Sequence, residues 1–322
     1  LSDTVVAAMG GEISVSGVAL FKQAEDGLGQ NPWTWLSLEL DELPAKEAAS
    51  YFAWEDIITE GVLSGKVVLE AERDFWSVQG ACTVQDGSLN VYSFDNLKVD
   101  FTADEEKVII DGLVSEGPDG NLTAKGTVYD NADFELQVAA QAVSLEKLSD
   151  LLEYPEVTGT GAFLGTVSSK EKALSIDGLL ELTNPAIGEI ELDSTVGRVS
   201  FKDSVIRLFN TSVVKGDATG QISGVIELGG EYPEFDLVAT VNALPVDDLA
   251  SVLGLGEIPL RGALSGKAAF SGTTKSPEAG GEVRLTSGEI HGIKLDDLRT
   301  GFAYSEDTLN IEDSLIEMGG IR

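Results

Sequence analysis

The sequence predicts an all-β fold, an antiparallel sheet interrupted by a few short helices. Apolar and polar residues alternate with a period of two over many segments, which is typical of strands with one dry and one solvated face. Gly is frequent (36 residues) and Pro is rare (9 residues), which favours many tight turns over a proline-rich linker. Short motifs also recur at a near-constant spacing, which indicates repeated structural units.

The strands are clearest over residues 76–84, 97–101, 174–182 and 235–241, where every second residue is apolar or Gly. Residues of turn-forming type separate such segments, and we expect the chain to reverse direction there. The predicted turns are Asp86-Gly87, Pro118-Asp119-Gly120, Asn184-Pro185, Gly229-Gly230 and Ser287-Gly288.

Helical spacing is confined to three short segments, Pro44–Trp54, Ser144–Leu152 and Pro245–Leu253. Pro44 and Pro245 suit a first helical turn, and Ser144 suits an N-cap. We therefore expect short helices that punctuate a β protein.

A unit of about 100 residues repeats along the chain. The motif Gly-x-x-x-Gly begins at Gly61, Gly161 and Gly262, with spacings of 100 (161 − 61) and 101 (262 − 161) residues, and the predicted helix starts follow the same spacing. We expect the end of one repeat over residues 1–42, whole repeats over 43–142 and 143–243, and the start of another over 244–322, joined in one continuous elongated domain. A row of separate sandwich domains stays open as an alternative.

The chain combines a large negative charge with a substantial hydrophobic content. The chain has 55 Asp and Glu against 21 Lys and Arg, a net charge of −34, yet it is 43% hydrophobic with a mean hydropathy of +0.06. Disordered chains combine high charge with low hydrophobicity, so disorder is excluded. A nucleic-acid-binding protein needs a basic patch that this composition does not supply. No apolar run reaches the ~18 to 20 residues that a bilayer span requires.

The sequence offers little for catalysis or for a metal centre. One Cys (Cys82) and one His (His291) form neither an intrachain disulfide nor a zinc cluster, and we expect Cys82 to pack on a dry face. Carboxylate pairs such as Asp247-Asp248 fall in predicted turns or on helix surfaces, outside the desolvated pocket that acid–base catalysis needs. We predict neither an enzyme nor a bound cofactor or metal.

Several motifs of Gly, aliphatic and acidic residues follow one another in register with the repeat. They are Gly224–Leu228, Pro233–Leu237, Leu244–Leu249, Gly262–Lys267, Gly281–Ile290 and Leu309–Ser314. In this order and spacing, and over essentially the whole chain, they resemble the repeat of the AsmA/TamB superfamily of bacterial envelope proteins.

The resemblance implies an elongated antiparallel sheet curled into a U-shaped trough, a β-taco, with an apolar lining. It implies a periplasm-spanning protein, anchored in the inner membrane, that works with an outer-membrane barrel of the Omp85 family. It also implies that the trough carries phospholipid acyl chains between the membranes in outer-membrane biogenesis. We expect the membrane anchor and the C-terminal docking domain to lie outside this sequence.

The expected groove lining consists of the large apolar residues of the predicted dry faces. They are Trp76, Val78, Val84, Leu97, Val99, Phe101, Phe134, Leu136, Leu180, Leu182, Phe201, Phe235 and Leu237. The same alternation also fits an ordinary core between two sheets. Two other functions stay open: a chaperone or assembly module that binds outer-membrane barrel strands by β-augmentation, and a surface protein of acidic β-sandwich repeats rigidified by Ca²⁺.

Overall fold

The computed structural model divides the chain into two compact units. The first unit comprises Leu1–Glu153 and Ala162–Leu174, and the second comprises Tyr154–Gly161 and Ser175–Arg322. The structure describes residues 4–8, 10–21, 32–50, 58–72, 75–147, 157–187, 190–246, 260–290, 292–306 and 308–318. Both units consist almost entirely of antiparallel strands, which confirms the all-β prediction.

The strands of the first unit are long, and most have ten residues or more. They are β1 Thr4–Ala8, β2 Gly11–Phe21, β3 Pro32–Pro44, β4 Ile58–Glu72, β5 Phe75–Leu89, β6 Tyr92–Ala103, β7 Lys107–Gly117, β8 Gly120–Tyr129 and β9 Phe134–Ser144. Each of them pairs antiparallel with the next along the chain. Strand β10, Val157–Lys170, contributes residues to both units.

The second unit has the same meander topology. Its strands are β11 Ala173–Ile187, β12 Ile190–Glu191, β13 Ser194–Lys202, β14 Val205–Lys215, β15 Ala218–Glu227, β16 Glu234–Pro245, β17 Leu260–Thr273, β18 Pro277–Ile290, β19 Ile293–Ser305 and β20 Thr308–Glu317. Strand β11, whose first two residues belong to the first unit, pairs with the two-residue β12 and with β13, and from β13 onward each strand pairs with its successor.

Short helices begin close to the predicted starts, but Pro44 and Pro245 are the last residues of β3 and β16 and precede the helical residues instead of lying in a first helical turn. Helix α1 spans Ala45–Ser50, residues 145–147 are helical, and Val246 begins a helical segment. The backbone N–H of Lys147 donates to Ser144 Oγ at 3.4 Å, which is the N-cap geometry expected of Ser144. The remainder of the predicted segments Pro44–Trp54, Ser144–Leu152 and Pro245–Leu253, like His291, lies outside the described residues.

Three of the five predicted turns are wrong. Asp86-Gly87, Asn184-Pro185 and Ser287-Gly288 lie inside strands β5, β11 and β18. Asp86, Asn184 and Ser287 adopt left-handed φ values of 49°, 48° and 49° there. Turn-forming residues tolerate that conformation, so the same composition marks a local distortion of a continuing strand. The turns at Pro118-Asp119 and at Gly229-Gly230 are confirmed.

A second distortion recurs just before each helix start. Glu42, Ala142 and Ala243 have φ values of 51°, 54° and 56°. The N–H of Glu42 donates to Ser64 Oγ at 3.1 Å, and the N–H of Ala243 donates to Ser265 Oγ at 3.0 Å. These local geometries recur at the spacing read from the sequence, while the repeat boundaries stay a prediction.

Gly224 and Gly126 each lie opposite a register shift in the neighbouring strand, β14 and β7 respectively, as expected of glycines that mark bulges. Their φ values are 143° and 152°, and an added Cβ would overlap the backbone carbonyl oxygen of Asp236 or of Glu135. We expect Gly224→Ala to lower the free energy of unfolding by about 1–3 kcal/mol, because the strained φ and the carbonyl overlap add. Urea denaturation measures the loss.

Gly229→Ala is the matched control for Gly224→Ala. Gly229 is exposed, and the nearest atom to an added Cβ is Ser204 Cβ at 3.9 Å. An equal loss of stability in both variants would contradict a conformational requirement at Gly224.

Candidate functional site

Cross-strand register places apolar residues in continuous rows on one face of the first unit. Two rows cross β2–β9: Gly17, Leu36, Leu69, Val78, Ala103, Val108, Val128 and Phe134; and Val15, Leu38, Val67, Gly80, Phe101, Ile110, Gly126 and Leu136. Two more are Ile13, Leu40, Gly65, Cys82, Val99, Leu113, Ala124 and Val138; and Leu43, Leu63, Val84, Leu97, Ser115, Leu122 and Ala140. No residue in these rows carries a charge.

The second unit has equivalent rows. They include Ile176, Phe201, Ile206, Ile226, Phe235 and Gly272; and Gly178, Val199, Leu208, Gly224, Leu237, Phe270, Ala279, Tyr304 and Leu309. Others are Leu182, Thr195, Val213, Gly220, Val241, Gly266, Val283 and Thr300; and Leu244, Leu264, Leu285, Leu298 and Ile316. These rows are also free of charged residues. In each unit we call the surface formed by the rows the apolar face.

All of the predicted lining residues lie on the apolar face of their unit. In the first unit these are Trp76, Val78, Val84, Leu97, Val99, Phe101, Phe134 and Leu136, with Trp76 opposite Ala71 at the end of the face. In the second unit they are Leu180, Leu182, Phe201, Phe235 and Leu237, with Leu180 opposite Gly197. Their role as the lining of a lipid groove stays a prediction.

In each unit, the ends of the strands form two margins of the apolar face, and the two margins differ in structure. At the helix margin lie α1, residues 145–147, Val246 and the turns at 90–91, 118–119 and 216–217. At the turn margin lie the connections at 104–106, 130–133, 203–204, 228–233 and 274–276.

The two margins differ in burial. Within β5, Val84 near the helix margin is 7% exposed and Trp76 at the turn margin is 37% exposed, although both lie on the apolar face. Within β17, Leu264 near the helix margin is 8% exposed and Phe270 near the turn margin is 37% exposed. The helix-margin part of the face is therefore packed as a core, and the turn-margin part remains open to a partner or to solvent.

The packed part of the first unit contains residues that the sequence pattern missed. Phe94 and Ala45 join the predicted Val84 and Leu97 in one buried cluster, against which Leu63, Leu89, Tyr92 and Leu113 pack. Phe94 is out of phase with Leu97 in an alternating strand, yet both side chains are buried in this cluster. Phe94 pairs with Gly87, which follows the left-handed Asp86 in β5. Strand alternation alone therefore assigns Phe94 to the wrong face.

Charged residues lie on the opposite face. Arg198 Nη2 is 2.8 Å from Asp177 Oδ1, and Arg284 Nε is 2.8 Å from Asp297 Oδ1. Hydrogen bonds from Arg284, and then from Arg299, hold the pKa of Asp297 below its usual range. The large negative charge is therefore compatible with an uncharged face on the same strands.

Cys82 lies on the apolar face, half-buried between Gly65 and Val99 in its row. Burial raises the pKa of its thiol, and the nearby Asp100 raises the pKa further. A thiol in this environment is predominantly protonated at neutral pH, which suits a small apolar side chain rather than a nucleophile.

Comparison with known proteins found one family model that matches part of the chain. Residues 210–307, which lie in the second unit, match the family model described as the TamB C-terminal domain. Residues 210–307 are a TamB-like segment of the chain. The predicted resemblance is thereby confirmed. The match also corrects one expectation, because part of the family's C-terminal domain lies inside this sequence. No curated protein and no solved structure matches the chain.

TamB-like proteins are non-enzymatic proteins of the cell envelope that act in outer-membrane assembly or lipid transport, together with outer-membrane assembly factors. Within the described part of this TamB-like chain, no helix has the length and apolar character to cross a bilayer. Over the same residues, His, Cys, Asp and Glu side chains form no group suited to a metal ion.

Proposed function

We propose that this TamB-like chain carries phospholipid acyl chains along its apolar face, as a periplasmic segment of an inner-membrane-anchored protein that contributes to outer-membrane biogenesis. The observation that carries the proposal is the set of uncharged rows in each unit, with the acidic residues on the opposite face. We further propose that its outer-membrane partner is a barrel of the Omp85 family, and that the chain itself catalyses no reaction.

Magnitudes support an acyl chain as the ligand. Burial of apolar carbon is worth about 0.8 kcal/mol per CH₂, so partial coverage of one chain already gives useful affinity without any specific contact. A row across the eight strands β2–β9 extends about 34 Å at ~4.8 Å per strand. Acyl chains that lie parallel to the strands take up only part of that length, so one row has room for several chains side by side.

Native mass spectrometry after incubation with phosphatidylethanolamine vesicles tests the proposal. We expect bound phospholipid on the wild-type chain and a clearly lower lipid load in the double variant Val99→Asp/Leu237→Asp, which puts one carboxylate on the apolar face of each unit. A desolvated carboxylate without a partner costs several kcal/mol.

The matched control is Val114→Asp/Val238→Asp. Both valines are exposed on the opposite face, and each directly neighbours a strand position of the apolar face in sequence. The control is expected to retain the lipid. Equal lipid binding by both double variants, or none by the wild type, would overturn the proposal.

A further inference from the structure

We infer that bound phospholipids are oriented, with their headgroups at the turn margin and their acyl chains pointing toward the helix margin. The inference rests on the proposed function and goes further, because it assigns each margin of the apolar face a different part of the ligand. It follows from the difference in packing between the two margins.

The helix margin is closed by its own side chains. Leu43 and Ala45 in the first unit, and Leu285 and Leu295 in the second, are buried there. Among the buried apolar residues of the described ranges, only Ala103, a small residue, lies near the turn margin. A face that is already packed leaves no room for a headgroup to leave toward water.

Hydrogen bonds also tie the helix margin together across neighbouring connections. Tyr92 Oη donates to the carbonyl oxygen of Gly120 at 2.6 Å, and the N–H of Ser93 donates to Asp119 Oδ2 at 2.8 Å. In the second unit the N–H of Gly216 donates to Asp193 Oδ2 at 2.7 Å. Opening this margin would break these bonds as well as expose apolar area.

The turn margin has the properties that a headgroup boundary needs. Trp76 and Phe270 on the apolar face are more than a third exposed there, and Leu309 is exposed as well. The adjoining turns are polar, with Asp104, Glu105 and Asp130 in the first unit. An indole ring at the border of an apolar and a polar zone, such as that of Trp76, is typical of the interface where lipid headgroups meet acyl chains.

Headgroup-directed quenching tests this orientation. In a Cys82→Ala background, whose lipid load is measured first by native mass spectrometry, single cysteines are introduced by Ala132→Cys at the turn margin or Asn90→Cys at the helix margin. Both positions are exposed turn residues with left-handed φ, 65° and 54°, so the two sites are matched. Each cysteine is labelled with a small fluorophore. The labelled protein is then loaded with phosphatidylcholine that bears a nitroxide on its choline group.

We expect several-fold stronger quenching at residue 132 than at residue 90. Bound lipid with equal quenching, or with stronger quenching at residue 90, would overturn the orientation and leave the proposed function standing. An absence of bound lipid on the wild-type chain would overturn both, which keeps the two failures distinguishable.

Discussion

Phe94→Ala is expected to lower the free energy of unfolding by about 3–5 kcal/mol, the range for removing a fully buried aromatic ring. Phe94 is 2% exposed and packs with Val84, Leu97 and Ala45 at the helix margin. Its ring also occupies the space beside Gly87, where an added Cβ would overlap it. Truncation leaves a cavity that a sheet held by backbone hydrogen bonds on both sides cannot close. Urea denaturation of the full chain measures the loss.

Phe75→Ala is the control, because the same truncation is made at a side chain that is 60% exposed. Its effect should stay below about 1 kcal/mol, since little packed area is lost. If Phe94→Ala were as mild as Phe75→Ala, the helix margin would be loosely packed. Both the core described here and the asymmetry between the margins would then be wrong.

The sequence predicts the fold class well because the underlying signal is local. Alternation of apolar and polar residues over segments such as 235–241 reflects the pleat of a strand, and strand β16 follows it without interruption. The helix starts are equally local, since Ser144 and the residues around it set the cap. Neither inference needs knowledge of which strands are neighbours.

Residues that depend on a distortion of the backbone are harder to predict. Asp86 and Gly87 look like a turn, yet β5 continues through them with Asp86 at φ 49°. Phe94 pairs with Gly87 and lies in the buried cluster, whereas alternation counted from Leu97 outward leaves Phe94 on the wrong side. The information lies in the pairing of β5 with β6, which single-strand patterns do not contain.

The predicted lining residues show the same difference between what one strand's pattern predicts and what depends on the surrounding structure. Period two assigns Val84 and Trp76 to one face equally, and register places both there. Only the structure shows that Val84 is buried in the core and that Trp76 is at the open margin. Burial along a strand depends on what covers each end of it, here the short helix α1 and the side chains around it. The sequence therefore predicts which residues form the apolar face, but it does not predict which part of that face is open.

A single charge on the apolar face is expected to slow lipid movement far more than it lowers lipid binding. Leu237 is half-buried between Gly224 and Phe270 in its row, and Val238 beside it is exposed on the opposite face. If acyl chains slide along the face, every lipid in the second unit must pass residue 237. A partly desolvated carboxylate there adds about 3 kcal/mol to that step, which corresponds to about a 100-fold slower rate. Binding elsewhere on the face is untouched.

The measurement compares Leu237→Glu, Val238→Glu and the wild type in two assays, transfer of a fluorescent phospholipid between vesicles and lipid occupancy by native mass spectrometry. Leu237→Glu should lose nearly all transfer while it keeps most of its lipid, and Val238→Glu should match the wild type in both. A Leu237→Gln variant separates charge from size, because the neutral amide should slow transfer less than the carboxylate. Transfer that survives Leu237→Glu would mean that lipids bind at separate places and do not move along the face. The apolar rows would then act as a reservoir, and a conduit would be refuted.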